Sequence, residues 1–556
     1  MIKLKLTVLA LFVVLTATLR LGVPGSRSIR AESRPEQDGV TYLDQGWSAE
    51  ERQAFYHTSQ GSRVLPYRWF MALEQPNPLS RQMFLSDDTV RQYRIIPDHN
   101  LTHNPDGLPV GFVKDVSPDG EFISITCAAC HTGQITFNGA QLRIDGGPAM
   151  HNLNGFFGEM FKALAVTKVD PVKFARFAKK VLGDDDSFLR RQKLRLQVGR
   201  TLLSAADTVL TAKLKRLYPT EEGFGRLDAL GRGGNLVLGS EIGDERNLAV
   251  ANAPVSFPHL WGTPSFDWVQ WNGSIQQPMA RNLGEALGVN TPVTLRGRPG
   301  DLFQSAVKIE NLALMEKALE RLNAPRWPEE VLGRIDRDQA NRGAALYAQH
   351  CAACHESRFA PPNEFGKAFL RINLYPLDVI GTDPPDAVNF NTRVVRTGQL
   401  GLPPVVPAAG GLQVISSRVA ERKYDELHLS PEQRDEMNGF RANKIRAPRA
   451  YRARNMDGIW ATAPYLHNNS VPNLYQLLLP ASQRAKTFYV GNLEYDPRVV
   501  GFKADPFPGG FALHTDAVGN SNAGHEFRDG PRAKGVIGRL LTDDERWALI
   551  EYLKTR

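Results

Sequence analysis

Cysteine is scarce in this chain, with four residues in 556 and none outside two short stretches. Pairs as close as Cys127–Cys130 and Cys351–Cys354 would close tiny loops and make poor disulfide staples. Long apolar runs are scarce too. Beyond Leu19 none reaches the roughly 20 residues a membrane-crossing helix needs. No G-x-S-x-G, H-E-x-x-H or P-loop occurs, which removes the readable signatures of serine hydrolases, zinc proteases and phosphate-cradling sites. "GRGGN" (Gly231 to Asn235) reads as a turn-rich loop. Acid is absent from the first 31 residues, which hold Lys3, Lys5, Arg20, Arg27 and Arg30. Without them 62 basic side chains face 59 acidic ones. That balance gives no reason to expect nucleic acid as a partner.

The acid-free start has the layout of an export signal over residues 1–31: a basic opening, an apolar run from Leu6 to Leu19, then Arg20. It predicts a periplasmic or secreted protein, with an uncleaved anchor as the alternative. In such a compartment thiols end oxidised or capped.

All four thiols lie in one pentapeptide written twice, "CAACH" at Cys127 to His131 and again at Cys351 to His355. Zinc knuckles are usually separated by tens of residues, whereas these copies are 224 positions apart. The histidine after each second cysteine decides the reading. In c-type attachment two thiols bond the haem vinyl groups and the adjacent imidazole becomes the proximal iron ligand. Two covalent haems are therefore expected, with His131 and His355 on the irons.

The length allows two or more domains. Residues 32–327 read as a first haem domain and 328–556 as a second. Between the motifs, about 156–230 is amphipathic and mostly helical, and Asp170-Pro171 reads as a helix start. The basic faces there read as solvated surface. "LTDDERWALIEYLKTR" predicts a terminal helix capped by Thr542, with Trp547, Leu549, Ile550 and Leu553 as its apolar stripe. Residues 365–407 and 486–524, rich in Pro, Gly and Asn, read as long ordered loops.

Two further stretches carry a family resemblance. "NAPVSFPHLWGTPSFDWVQWNG" (Asn252 to Gly273) and "GIWATAPYLHNNSVPNLYQLL" (Gly458 to Leu478) resemble segments of bacterial di-haem cytochrome c peroxidases. "NPDGLPVGFVKD" and "GNSNAGHEF" look more like that superfamily's di-haem oxygenase branch, which includes rubber oxygenases and fatty-acid dioxygenases. The resemblance implies a mainly α fold of two cytochrome c-like haem domains with long loops and a helical insertion. It implies oxidant activation at the first haem and electron relay at the second. It places Trp271 between the haems, a calcium ion on Asn252, Thr462 and Pro464, and His525 as second ligand of the relay haem. No methionine follows Met456, so His467 and His514 are the other candidates.

One departure bears on function. The peroxidases carry an acid-base glutamate where this chain has Ala280; Glu285 is a possible substitute. Loss of that carboxylate favours dioxygen chemistry on an unsaturated apolar substrate, a fatty acid or polyisoprene. The alternatives are a hydrogen peroxide-reducing peroxidase served by a small electron-donor protein, and a plain electron carrier. His151 reads as a polar residue near a helix start, with a distal ligand as its rival role.

Overall fold

In a computed structural model of the protein, residues 35–36 and 39–556 are described, apart from residue 533. The export signal expected over residues 1–31 lies outside them. The fold is mixed, which corrects the mainly α expectation. Helix accounts for 41% and strand for 15%, and every sheet is small: one of four strands, one of three and seven of two among the described residues.

The correction centres on the first motif. Phe112–Ser117 pairs antiparallel with Gly120–Ile125, and Thr132–Phe137 pairs with Ala140–Asp145. The short helix Cys127–Cys130 is held between these hairpins. Local sequence explains them. Apolar residues alternate with polar ones, as in Leu142, Arg143, Ile144 and Asp145. Asn138 and Gly139, both at positive φ (48° and 84°), make the two-residue turn that hairpins prefer.

The second motif does lie between helices. Arg337–His350 runs into Ala352–His355 and packs against Asp543–Lys554. Thr542 and Glu545 form a reciprocal cap on the latter, each side chain accepting the other's backbone N–H. At the crossing, a Cβ on Gly343 would stand 2.0 Å from the Ala548 carbonyl oxygen. Only glycine permits that approach.

The expected helical stretch holds Leu153–Val169, Pro171–Leu182 and Phe188–Leu214. Asp170 starts the second by accepting from the N–H groups of Val172 and Lys173. These helices share a core with the first hairpin, in which Phe112, Phe156, Phe177 and Val198 meet. The largest core runs from Leu43 to Leu553 and draws on both sides of residue 328. The loop-rich stretches contain short paired strands, among them Thr487–Val490 against Phe511–His514.

Candidate functional site

Thr126 starts the Cys127–Cys130 turn by accepting from the N–H of Ala128, and its own hydroxyl donates to the Tyr56 carbonyl. Burial, then the Glu285 carboxylate, pushes the Cys130 thiol up to about 12 and Cys127 higher still. His131 is buried, and burial draws its pKa down to about 4. Its Nδ1–H donates to the Pro258 carbonyl at 2.8 Å, which leaves the lone pair on Nε2, the nitrogen that could bind a metal.

The second site repeats this arrangement. The Nδ1–H of His355 donates to the Arg454 carbonyl at 2.6 Å. The ring centroids of His355 and His525 are 6.1 Å apart. A metal–imidazole bond of about 2 Å puts a ring centroid about 3 Å from the metal. Two rings on opposite sides of one ion therefore stand about 6 Å apart, and this pair fits a bis-histidine iron. His525 is presented by a tight loop. Its φ is 43°, Gly524 packs against the backbone of Gly381, and buried Arg484 donates to the carbonyls of Asn522, Gly524 and His525 at 2.5, 2.9 and 2.8 Å. The other candidates lie elsewhere. His467 stacks on Tyr451 at 4.0 Å, and exposed His514 faces Thr487.

The strap of residues 253–262 joins the two sites. Pro258 holds His131, and the next residue, His259, accepts from the Arg454 guanidinium while stacking on Trp261 at 4.5 Å. The Arg454 carbonyl in turn holds His355. Buried Trp271 lies alongside, its indole N–H donating to the Ser256 carbonyl at 3.0 Å and its ring 5.3 Å from the Arg454 guanidinium carbon. His259 and Arg454 escaped the sequence reading. A backbone carbonyl that receives a histidine leaves no mark in side-chain spelling.

The helix Pro278–Gly288 separates the two residues weighed for acid-base work. Ala280 sits in an apolar cluster with Phe266, Val269, Ile275 and Ile372. Arg281 and Glu285 lie close enough to the first motif for both charges to act on Cys127. Gly284 is exposed although Arg281, Asn282 and Leu283 before it are buried, and a Cβ there would meet nothing within 4 Å. Glu285 accepts from the Gln270 amide at 3.3 Å, and burial raises its pKa. Arg281 is fixed by a buried ion pair with Glu316. His151, buried with both ring nitrogens unpartnered, packs 5.0 Å from the Phe257 ring.

Two of the three residues expected to hold calcium have protein partners. Asn252 Oδ1 accepts from Asn389, and the Thr462 hydroxyl donates to the Ile459 carbonyl. Among the described residues no group of three or more His, Cys, Asp or Glu side chains is arranged to hold a metal ion.

Residues 450–489, which include Arg454 and His467, match the family described as RoxA-like, cytochrome c-like. Such a domain implies covalently bound c-type haem. Two relatives come from Sinorhizobium fredii (strain NBRC 101917 / NGR234). Uncharacterized protein y4iJ is 40% identical over 589 aligned positions that cover 98% of each chain. Uncharacterized protein y4iM is 30% identical over 320 positions, covering 54% of this chain and 64% of its own.

Proposed function

We propose, from the premise that this chain belongs to one family with uncharacterized protein y4iJ and carries a RoxA-like cytochrome c-like segment, that it is an exported di-haem oxidoreductase with two unequal sites. Oxidant is activated at His131, and electrons are relayed at His355 and His525. One observation carries this reading: the histidines are asymmetric. At the second motif two imidazoles face each other at coordinating separation, which leaves no place for a substrate. At the first, His131 meets Phe257 edge-on, and no second imidazole pairs with it among the described residues.

When bound, haem supplies an iron able to bind and reduce a small oxidant. The chain holds the His131 ring through Pro258 and keeps it neutral. Gln270 donates to Oε1 of Glu285, and burial raises the pKa of this carboxyl, which favours its proton-carrying form. Trp271, the strap and Arg454 span the distance between the sites.

The favoured oxidant is dioxygen, and the favoured substrate an unsaturated fatty acid or polyisoprene. The large helical addition, which shares a core with the hairpin before the first motif, supports it. Glu285 supports a second reading, peroxide reduction fed by a small electron-donor protein, because it supplies the acid-base group that Ala280 cannot. The test adds unsaturated fatty acid, polyisoprene and hydrogen peroxide separately to pure holo-protein, following oxygen uptake and the haem spectrum. Uptake with an alkene supports the first reading. Peroxide turnover without uptake gives the second. Silence in all three, with no carbon monoxide binding, leaves an electron carrier.

A further inference from the structure

The helix Phe188–Leu214 is the longest described, and it wears apolar residues on its outside. Leu194, Val198 and Gly199 form its buried contact with the helices beneath. On the opposite side Leu189, Leu196, Leu203, Leu210 and Leu214 are between 55% and 77% exposed. Four of them recur every seven residues. An α-helix drifts about 20° per heptad, so they form one continuous outward stripe over about six turns. A row of this kind on a soluble surface marks an interaction face.

The charge beside the stripe selects its occupant. Arg190 and Arg191 are neutralised by Asp185 and Asp186. Lys193, Arg200 and Lys213 pair with no carboxylate among the described residues, and Asp207 is the one acid in the helix. Lys193 and Arg200 each follow a stripe leucine by four residues, so they flank the apolar row. A second copy of the chain is the rival occupant. With the leucines at the d positions of a coiled coil, the a positions would be Asp186, Lys193, Arg200 and Asp207. A two-stranded seam needs apolar residues there. The helix is also too charged to cross a bilayer; among the described residues no helix is long and apolar enough for that.

We propose that this face docks the protein on an anionic lipid surface. The leucines enter the boundary between headgroups and acyl chains, and Lys193 and Arg200 contact the headgroup phosphates, as an interfacial amphipathic helix does. The proposal does not depend on the haem chemistry.

The test is co-sedimentation of the full-length holo-protein with vesicles of phosphatidylglycerol and phosphatidylcholine, or of phosphatidylcholine alone. Residues 6–19 are apolar as well, so wild type and variants are compared in the same full chain. Leu196→Ser with Leu203→Ser and Leu210→Ser should weaken partitioning by at least about tenfold with circular dichroism unchanged. Lys193→Glu with Arg200→Glu should abolish the preference for anionic vesicles, as should high salt. The charge pair decides the matter if the triple variant misfolds. Wild-type protein that ignores vesicles, or variants that partition as wild type does, overturn the proposal. So does a triple variant whose only change is loss of self-association in sedimentation equilibrium, which would assign the face to a second copy.

Discussion

Ala280 and Glu285 lie five residues apart on one helix, and that spacing turns their side chains to different surroundings. The sequence comparison put weight on Ala280 because it fills the position of a missing glutamate. The fold gives Ala280 an apolar cluster and sets Glu285 close enough for its charge to act on Cys127 and Cys130. Glu285→Gln keeps the shape and removes the proton donor. Peroxide turnover in single-turnover mixing should fall by about 10²–10⁴-fold if Glu285 is the acid-base group. Unchanged turnover would remove it from the mechanism. His525 was legible from "GNSNAGHEF" only through family resemblance; its selection over His467 and His514 became physical once its ring faced His355. His525→Ala should convert the second haem from a low-spin to a high-spin spectrum and leave the first unchanged. If His467→Ala produces that change instead, the relay site has been misassigned.

Among the elements, the most readable were those with local punctuation. Thr542 marks the start of the last helix in the sequence, and Asp170-Pro171 marks another. The hairpins around the first motif had signals of their own, Asn138-Gly139 and alternating polarity. The mainly α fold that the resemblance implies has no place for them. The strap between the sites was unreadable for a different reason, since it acts through the carbonyls of Pro258 and Arg454. Gly343 shows what element packing demands. The helices Arg337–His350 and Asp543–Lys554 touch backbone to backbone there, and a methyl group must push them apart. Gly343→Ala should cost about 1–3 kcal/mol, read as a lower urea midpoint. Because the displaced helix leads directly into Cys351, the second haem's spectrum should shift more than the first's. An unchanged midpoint would show that the crossing is looser than drawn.

At the scale of the whole molecule, both halves of the chain meet in buried polar contacts as well as apolar ones. Arg454 lies between the sites, and burial and neighbouring Arg452 lower its pKa to about 9. It remains a cation at neutral pH, and a fixed cation favours the reduced state of a nearby redox centre. Arg454→Gln should lower both haem potentials by tens of millivolts in a spectroelectrochemical titration, where about 59 mV is tenfold for one electron. A shift at one haem only would confine Arg454 to that site. A second buried group couples the halves to pH. Asp386, on Pro385–Thr392, is buried with Oδ2 unpartnered. Burial, then the charges of Asp228 and Asp383, raise its pKa to about 8. Asp228 and Asp383 are themselves raised to about 6, burial leading in both. Arg226 tempers Asp383, Arg393 senses Asp228, and the Tyr451 hydroxyl lies against the start of the Asp386 helix. A carboxyl whose pKa is higher folded than unfolded makes the folded state bind more protons between those values. Stability from this group is therefore full below about pH 4 and is lost as pH rises toward 8. Asp386→Asn keeps the neutral form at every pH. Its unfolding free energy from urea denaturation should match wild type at pH 4 and exceed it at pH 8.5 by roughly 2 kcal/mol or more. Equal midpoints at both pH values would show that the Asp386 charge is accommodated in the folded state.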